Sequence, residues 1–565
     1  MKEIIKTLRR DIIATMEKED VPGLAISLID KNGIIWTEGF GFIDRSKSRK
    51  VDPDTIFSIG STSKSITAVA FLRAVQKGII SLDDTLVTYY PEFTINSRYG
   101  DGEVDKITFR HLLSHYSGFP HRSPITGLFD GNESTFEDSI KSISDAWLVS
   151  QVGKQFYYSN SGFNLIAYSL QKISSKSYPE YIKNEIAKPL KMESMVYGKK
   201  KAQMKPNCAV GYLGPHEALF TDINTYGSSG VYVSVRDLSN FVMFQLNHGE
   251  FNDIQILEKE LLEEMRIIIY QGDHIMWPVN YGLGMTINTE RIKGFNICGH
   301  GGGGHGYGCT LWFIVEHGIG VILMANQGYH DNRNTAETAL RLLLKKRDIF
   351  MPEVEIESID QSKQRQDNTE RIRKKRRKGP NKEEWGKFFG LYKGNMWGNP
   401  LYYGINVENG FLVLIIIFKG NLITSRLKEY TPDIFFNSLN EAVIFQEKKM
   451  IFMGMLFNKT ENIVSEIKQL AEKDPKNRNL QIWILNHIAF ILERLDRKDE
   501  ALGIQKINYS LNPDDLSILI SMSKICFENE NPKKAKEFCK KILMKEPKNK
   551  KALKMLSKIE KFTAR

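Results

Sequence analysis

Residues 57–64 read Phe57-Ser58-Ile59-Gly60-Ser61-Thr62-Ser63-Lys64. The apolar first half predicts a short strand, and the residues from Thr62 onward predict a helix that Gly78 closes. Ser61 is therefore expected at the amino-terminal end of a helix, where the helix dipole favours an alkoxide. Lys64 follows one turn later, so the two side chains share a face of the helix.

Ser61 and Lys64 together are suited to nucleophilic catalysis. A serine hydroxyl is a poor nucleophile at neutral pH and needs an adjacent base. A lysine can be that base if burial or a cationic neighbour lowers its pKa. The spacing is a weak signal, because S-x-x-K begins at Ser61, Ser169, Ser425, Ser465 and Ser521. An ordinary helix-capping serine is the alternative for Ser61 in isolation, so other motifs must discriminate.

The triplet Tyr158-Ser159-Asn160 is a second candidate motif. Among the 22 tyrosines, only Tyr158 is followed two residues later by asparagine. A tyrosine near Lys64 would have its phenolate favoured by the positive charge, so it could relay the serine proton. Asn160 can hydrogen-bond both Lys64 and a substrate carbonyl. Without the other motifs, such a triplet most often marks a turn.

A glycine-rich run is the third element, and it reads Gly299-His300-Gly301-Gly302-Gly303-Gly304-His305-Gly306 beside a predicted strand. Glycines allow a substrate backbone to approach closely and can present a main-chain N–H to an oxyanion. The spacing is wrong for a P-loop, because no Gly-Lys-Ser/Thr follows. His300 and His305 have no H-E-x-x-H motif or carboxylate nearby, so we expect no metal and no cofactor.

The order S-x-x-K, Y-x-N, then H-x-G resembles the serine β-lactamase and penicillin-binding protein superfamily. It looks closest to the class C β-lactamase-like branch, which includes CubicO-type esterases and D-aminopeptidases. The supporting stretches run through most of residues 20 to 330, and they are Phe57–Lys64, Ile107–Gly118, Tyr158–Phe163, Tyr281–Gly284 and Gly299–Gly303.

The resemblance implies an α/β (α+β) fold with an antiparallel sheet flanked by helices, an all-helical insert, and an active site between them. It implies Ser61 as the nucleophile, Lys64 and Tyr158 as the base system, and Asn160 as a positioning group. The oxyanion hole would consist of the backbone N–H groups of Ser61 and Gly303.

The same resemblance places His300 and Gly302 on the substrate-binding side. His300 stands where β-lactamases carry the lysine of K-T-G, which helps to hold the substrate carboxylate. This replacement argues against β-lactam turnover and is more similar to the esterase and peptidase members. The resemblance therefore implies a small-molecule or peptide acyl substrate: an ester, an amide or a D-amino-acid-containing peptide.

The chain of 565 residues is too long for a single hydrophobic core. A helix over Lys2–Glu19, a hairpin of Gly23–Ile29 with Ile34–Thr37, and adjacent strands Leu311–Val315 and Gly320–Asn326 predict an antiparallel sheet flanked by helices. We predict four regions: a hydrolase domain (residues 1–350), a charged linker (351–382), a small antiparallel β barrel or meander (383–458) and helical repeats (459–565).

The last two regions carry further cues. Gly390-Leu391-Tyr392 resembles the start of the small β domain that is appended to many such hydrolases. The interval from Ala501 to Ala535 equals the interval from Pro513 to Pro547. This interval resembles the tetratricopeptide period of about 34 residues and predicts a surface for a protein partner or for self-association. An unrelated helical bundle is the alternative.

The net charge of +11 is concentrated locally, because residues 371–378 alone carry seven positive charges. A solvated spacer explains this octet better than nucleic-acid binding, so we do not expect a nucleic-acid partner. The longest strongly apolar run, residues 411–418, is too short to span a membrane. The amino terminus lacks a signal-peptide pattern, and the five cysteines form no C-x-x-C pair, which predicts reduced thiols and a cytoplasmic location.

A catalytically inactive scaffold that binds protein partners through the helical repeats is the main alternative to an enzyme. The presence of Ser61, Lys64 and Tyr158 together argues against this alternative. Nucleic-acid binding by residues 371–378 is a second alternative.

Overall fold

The computed structural model forms two compact units, made chiefly of residues 1–361 and 362–565. It describes the whole chain apart from residues 126–134, 215, 219–224, 272–278, 305, 329, 352–382, 397–398, 409, 419–420, 438–441, 453–454, 476–479, 481, 529–530 and 564–565. The predicted linker 351–382, with its basic octet, therefore lies almost entirely outside the described residues.

The first unit mixes strands and helices. Its strands are β1 (Gly23–Asp30), β2 (Gly33–Gly41), β3 (Ile56–Ser58), β4 (Val196–Tyr197), β5 (Tyr212–Leu213), β6 (His216–Glu217), β7 (Val231–Ser234), β8 (Glu250–Phe251), β9 (Ile254–Gln255), β10 (Asn280–Tyr281), β11 (Thr286–Asn288), β12 (Ile297–Gly304), β13 (Tyr307–Ile314) and β14 (Ile319–Ala325). Its α-helices are α1 (Lys2–Glu19), α2 (Ser63–Gln76), α3 (Leu86–Tyr89), α4 (Phe109–Leu113), α5 (Phe136–Lys141), α6 (Asn160–Ser174), α7 (Tyr178–Ile182), α8 (Lys199–Gln203), α9 (Val235–Leu246), α10 (Lys259–Glu264) and α11 (Arg333–Lys346).

The main sheet of this unit has seven strands in the order β10-β11-β12-β13-β14-β1-β2. Every neighbouring pair is antiparallel, and Leu24 of β1 lies opposite Ala325 of β14. The hairpin predicted near the amino terminus and the adjacent strands predicted near residue 320 are confirmed. The sheet joins them because β1 pairs with β14.

Both faces of the sheet are covered by helices. Along β1, Leu24 and Ile26 contribute to an apolar cluster that includes α1 and α11. Ala25 and Ile29 contribute to a second cluster that includes α2 and α9. Successive side chains of a strand point to opposite faces, so this alternation places the sheet between two helical layers. The prediction of an antiparallel sheet flanked by helices is confirmed.

The segment that opened the sequence analysis differs slightly from its prediction. The α-helix begins at Ser63 rather than Thr62, because a 3₁₀ turn covers Gly60–Thr62 first. Gly60 has a φ of 49°, a left-handed conformation that glycine adopts without steric cost. The end of the helix matches its prediction, since Gly78 follows with a φ of 66°.

A largely helical region follows α2 in sequence. It contains α3 to α7 together with short 3₁₀ and π turns. A separate three-stranded sheet, in the order β3-β7-β4, lies in the first unit as well. The strand β3 leads directly into the turn that carries Ser61, so the small sheet and α2 fix that turn from both ends.

In the part of the second unit that the structure describes, nine strands form one sheet in the order β18-β17-β16-β15-β23-β22-β21-β20-β19. They are β15 (Gly390–Met396), β16 (Asn399–Glu408), β17 (Phe411–Phe418), β18 (Asn421–Arg426), β19 (Lys428–Thr431), β20 (Ile434–Phe436), β21 (Ala442–Gln446), β22 (Lys449–Phe452) and β23 (Met455–Thr460). Because β15 pairs with both β16 and β23, the first and last strands are neighbours. The sequences Glu408-Asn409-Gly410 and Lys419-Gly420-Asn421 predict turns, but Asn409 and residues 419–420 lie outside the described residues.

Among the described residues that follow, six helices occur, and they are Ile463–Lys473, Ile482–Arg494, Lys498–Leu511, Leu516–Glu528, Pro532–Lys545 and Lys550–Thr563. The helices that begin at Ile482, Leu516 and Lys550 start at equal intervals along the chain. The same interval separates Ala501 from Ala535, and both alanines are buried. The period read from the sequence is therefore also a period of helix starts.

The described helices and the cysteines bear on the predicted location of the chain. Among the helices that the structure describes, none is both long enough and apolar enough to cross a membrane. All five cysteines are buried, and none forms a disulfide.

Candidate active site

Ser61 lies in the 3₁₀ turn between β3 and α2, and it is half-buried. The turn lies directly against β12. A Cβ atom placed on Gly60 would be 3.0 Å from the backbone nitrogen of Gly303. The sequence motifs that contain Ser61 and Gly303 lie near opposite ends of the first unit in sequence, and the fold brings them into contact.

Lys64 lies in the first turn of α2 and is fully buried. Its Nζ lies 3.0 Å from Ser61 Oγ. It also lies 2.7 Å from Asn160 Oδ1 and 3.0 Å from the carbonyl oxygen of Ser228. The predicted spacing of one helical turn therefore places the amine against the serine hydroxyl.

The surroundings of Lys64 disfavour its charged form. Burial holds its pKa well below the ordinary lysine value, and the positive charge of Arg122 lowers it further. The three hydrogen-bond partners of Nζ are all uncharged. The amine can therefore be neutral under conditions in which an exposed lysine carries a proton.

Tyr158 completes the group around the serine. Its hydroxyl is hydrogen-bonded to the Ser61 side chain, and Lys64 Nζ lies 4.8 Å from its ring centroid. Burial raises the pKa of Tyr158 well above its ordinary value, and the bond to Ser61 opposes this only in part. The sequence predicted that the charge of Lys64 would favour a phenolate at Tyr158. Burial disfavours the charged form of both groups, so the phenol keeps its proton.

Asn160 is the first residue of α6. The preceding Ser159 caps the helix, because its Oγ accepts a hydrogen bond of 3.1 Å from the backbone N–H of Gly162. The cap fixes where α6 begins and directs Asn160 Oδ1 toward Lys64 Nζ. The predicted hydrogen bond between Asn160 and Lys64 is present in the structure.

His300 lies on β12 and is only 1% exposed. Its Nδ1 lies 2.6 Å from the Gly301 carbonyl oxygen, so it donates to that oxygen, and its Nε2 accepts from the Tyr281 hydroxyl at 3.1 Å. Burial lowers the pKa of His300 to about 3, and Lys64 adds to this effect. His300 is therefore a neutral side chain that contacts Tyr281, and it does not supply the fixed positive charge of a lysine.

Gly299 to Gly304 of the glycine run lie in β12, which pairs with the neighbouring strand β13. Strand β11 pairs with β12 only as far as Gly299, whereas β13 pairs with it through Gly304. One edge of β12 is therefore not paired with β11 beyond Gly299. On this strand a Cβ at Gly302 would lie 1.8 Å from the carbonyl oxygen of Ile59, whereas a Cβ at Gly303 would meet nothing within 4 Å.

Three contacts to this group were not identified from the sequence. The carbonyl of Ser228 accepts from Lys64, and no sequence pattern marks a backbone carbonyl of this kind. His121 and His115 hydrogen-bond to the segment that holds Tyr158. His115 lies in the stretch Ile107–Gly118 that carried the family resemblance, but the sequence assigned it no role.

The chain matches the sequence model of a protein family described as Beta-lactamase over residues 8–345. This match covers more than half of the chain. It also includes every candidate site residue that the sequence analysis named.

Two curated proteins illustrate the relationship. The chain is 27% identical over 237 residues to Protein flp of Staphylococcus aureus (strain MW2), covering 41% of this chain and 47% of that protein. It is 31% identical over 247 residues to the putative penicillin-binding protein PbpX of Bacillus subtilis (strain 168), covering 42% of this chain and 59% of that protein. The matches thus span about half the length of these curated relatives.

Among solved structures, the chain is similar to the octameric penicillin-binding protein homologue from Pyrococcus abyssi. The TM-score is 0.52 at 25% sequence identity, and the match covers 80% of this chain and 100% of that one. Residues 8–345 are less than 80% of the chain, so the structural similarity also includes residues outside the family match.

Proposed function

The chain belongs to the β-lactamase family, and on that premise we propose that it is a serine hydrolase in which Ser61 forms an acyl-enzyme. Ser61, Lys64, Tyr158 and Asn160 supply the nucleophile, the base, a proton relay and a positioning group, respectively. The contact between Lys64 Nζ and Ser61 Oγ, in a site that disfavours the lysine charge, is the observation that carries the proposal.

The hydrogen bonds of Lys64 support its role as the base. Asn160 Oδ1 and the Ser228 carbonyl oxygen can only accept, so each takes one N–H of the amine. The third partner, Ser61 Oγ, carries a hydroxyl proton that it can donate. A neutral amine has two N–H bonds and one lone pair, and this lone pair is then directed at Ser61.

The proton balance of the acylation step follows from this arrangement. As the bond between Ser61 Oγ and the acyl carbon forms, the hydroxyl proton moves to Lys64. When the bond to the leaving group breaks, the leaving group takes a proton from the Tyr158 hydroxyl, and Lys64 returns its proton to Tyr158. In deacylation, water attacks the acyl carbon and gives a proton to Lys64. The bond between the acyl carbon and Ser61 Oγ then breaks, Ser61 takes a proton from Tyr158, and Lys64 returns its proton to Tyr158.

The β12 strand supports the proposed oxyanion hole. The backbone N–H groups of Ser61 and Gly303 are the proposed donors to the developing oxyanion. Gly303 lies beside the Ser61 turn, and a Cβ built on Gly303 would meet nothing within 4 Å. An extended acyl substrate could lie along this edge and make main-chain hydrogen bonds, as peptides do at sheet edges.

The state of His300 supports an ester, an amide or a D-amino-acid-containing peptide as the acyl donor. A β-lactam carboxylate is held in part by the lysine that His300 replaces in the resemblance. A neutral histidine that is already bonded to Tyr281 offers no such charge. We therefore expect p-nitrophenyl esters and D-aminoacyl amides to be turned over in preference to nitrocefin.

Labelling of the serine by a fluorophosphonate tests the proposal. We expect mass spectrometry to find the adduct on the peptide that contains Ser61, and Ser61→Ala to abolish both the adduct and ester turnover. Ser465→Ala is the matched control, because Ser465 also begins an S-x-x-K sequence on a helix. An adduct at another serine, or full activity of Ser61→Ala, would refute the assignment.

The helices of residues 463–563 support a second element of the proposal, namely self-association through tetratricopeptide-like repeats. Every second helix start recurs at a constant interval from Ile482 to Lys550, and stacked repeats present an extended binding surface. The homologue from Pyrococcus abyssi is octameric. Light scattering of the full chain, and of a chain lacking residues 459–565, tests this; a monomeric full chain would contradict self-association and favour a different protein partner.

A further inference from the structure

The segment that carries Tyr158 is bound on one side by His115. The backbone N–H of Tyr157 donates to the His115 carbonyl oxygen at 2.8 Å. The backbone N–H of Ser159 donates to His115 Nδ1 at 3.1 Å. His115 is fully buried and has a φ of 65°, a conformation that few non-glycine residues adopt. Its ring packs 4.3 Å from the Tyr158 ring, centroid to centroid.

The same segment is bound again by His121. The backbone N–H of Asn160 donates to the His121 carbonyl oxygen at 2.8 Å. His121 Nδ1 lies 3.0 Å from the carbonyl oxygen of Tyr158, and its Nε2 lies 3.5 Å from Asn160 Nδ2. Backbone groups of four consecutive residues, 157 to 160, are thus held by two histidines.

The hydrogen-bond partners define the tautomer of His121. The Tyr158 carbonyl can only accept, so Nδ1 must carry the hydrogen, and the neutral ring then offers Nε2 as an acceptor. Asn160 Oδ1 is already bound to Lys64 Nζ, so the amide nitrogen is the end that faces His121. Burial and the charge of Arg122 lower the pKa of His121 to about 3, which keeps the ring neutral near pH 7.

We infer that His121 is a positioning residue for the acylation reaction, acting through its ring on the Tyr158 carbonyl and on the Asn160 amide. This inference rests on the proposed function of Ser61, Lys64 and Tyr158. The ring links two groups that both contact the reacting pair: Tyr158 is bonded to Ser61, and Asn160 to Lys64. A shift of the segment would therefore displace the proton relay and the amine together.

Such a displacement should affect chemistry more than substrate binding. A misplacement of about 1 Å in a catalytic group can cost about 100-fold in rate. His121 is not adjacent to the proposed oxyanion donors, which belong to the Ser61 turn and to β12. Loss of the ring should therefore lower kcat, while KM changes little.

Three substitutions in the full chain separate the two ring contacts. His121→Ala removes both, His121→Asn keeps a donor near the Nδ1 position, and His121→Gln places an amide near the Nε2 position. The probe is a p-nitrophenyl ester, with kcat and KM measured separately and thermal unfolding as the check on folding. His317→Ala is the matched control, because His317 is also half-buried in the first unit but packs against Phe295.

We expect His121→Ala to lower kcat by about 10- to 100-fold with less than about a threefold change in KM. His121→Asn should recover most of that loss, since the contact to the Tyr158 carbonyl is the shorter of the two. His121→Gln should recover less, and the control should match the unmodified chain. In an Asn160→Ala background, His121→Ala should cost less than it does alone, because the shared contact is already absent.

Several results would overturn the inference. One is that His121→Ala leaves kcat and KM unchanged, and another is that it affects mainly KM. A third is that all three His121 variants lose kcat equally and in proportion to their loss of thermal stability. A failure of the proposed function looks different, because the unmodified chain would then show no adduct at Ser61. If Ser61 is labelled in the unmodified chain and His121→Ala acylates at the same rate, only the positioning role is wrong.

Discussion

The chemistry proposed for Lys64 depends on the polarity of its surroundings. The amine has no carboxylate among its hydrogen-bond partners and is fully buried, and both conditions favour the neutral form. The same burial that makes Lys64 a base keeps Tyr158 protonated. Burial lowers the pKa of Lys64 and raises the pKa of Tyr158, and both shifts favour the uncharged side chain.

The pH dependence of acylation is predicted from the Lys64 pKa. Neutral Lys64 is the active form, so kcat/KM should rise as the pH rises through its pKa and should be lost on the acid side. Because that pKa is lowered, the rise should be complete well below the ordinary lysine value of 10.5. A pH–rate profile for a p-nitrophenyl ester measures this.

The control for this profile is Tyr158→Phe, which should lower the rate but keep the acid limb. Lys64→Arg should be inactive at every pH, because arginine stays protonated. The pKa of His300 is lowered to about 3, so its titration lies at the far acid end. A rise in rate centred near the ordinary lysine value would mean that burial does not lower the pKa of Lys64.

Lys64 and Tyr158 are predicted to act as a unit. Both groups contact the Ser61 hydroxyl, so a proton that cannot reach one of them cannot be passed to the other. The double change Lys64→Ala with Tyr158→Phe should cost little more in kcat/KM than the worse single change. Losses that multiply fully would show that the two residues do not share a proton path.

At the scale of elements, the sequence predicted the strongly periodic parts of the fold well. The helix over Lys2–Glu19 matches its prediction in both limits, because its apolar residues recur at helical spacing and pack on the sheet. The sequence did not predict that the glycine run forms a strand. Glycine has a low strand propensity, and the pairing of β12 with β13 through Gly304 keeps this segment extended.

The sequence predicted only part of the candidate site, namely the residues that belong to short local motifs. Ser61, Lys64, Tyr158 and Asn160 lie in short local motifs, and the structure brings them together. The Ser228 carbonyl could not be predicted, since any residue can supply a backbone carbonyl and only the tertiary fold selects this one. His121 is equally hidden, because its partners are 37 and 39 residues away in the chain.

The close approach of β12 to the Ser61 turn gives a prediction at this scale. A Cβ at Gly302 would lie 1.8 Å from the Ile59 carbonyl oxygen, so Gly302→Ala must push the strand and the turn apart. We expect a loss of about 1–3 kcal/mol in the free energy of unfolding and a large loss of Ser61 labelling. Denaturant unfolding and fluorophosphonate labelling measure the two effects.

Gly303→Ala is the matched control for Gly302→Ala. It makes the same chemical change one residue further along the strand, where a Cβ meets nothing within 4 Å. Its stability should stay close to that of the unmodified chain. Equal destabilisation by both changes would show that the flexibility of glycine, and not the contact with Ile59, sets the requirement at this position.

At the scale of the whole molecule, the chain divides its apolar residues into separate cores. The first unit has two large clusters on the faces of its sheet. Residues of the second unit form further clusters, one of which joins Leu391 and Tyr402 to the helices that follow the strands. We therefore propose that residues 1–350 fold independently and contain the whole catalytic apparatus.

A chain that ends at Phe350 tests this division of labour. All candidate site residues precede residue 304, and Phe350 itself is 84% exposed. Ending the chain there removes only the partly buried Met351 from the apolar cluster that includes α1 and α11. We expect the shortened chain to be folded, to be labelled at Ser61, and to hydrolyse p-nitrophenyl esters at a rate within about threefold of the full chain, since no proposed proton transfer or oxyanion contact involves a later residue. Its oligomeric state should change if the helical repeats mediate self-association.

Ser61→Ala in the shortened chain provides the background rate. If the shortened chain were folded and monodisperse but no longer reacted at Ser61, residues beyond 350 would have to complete the active site.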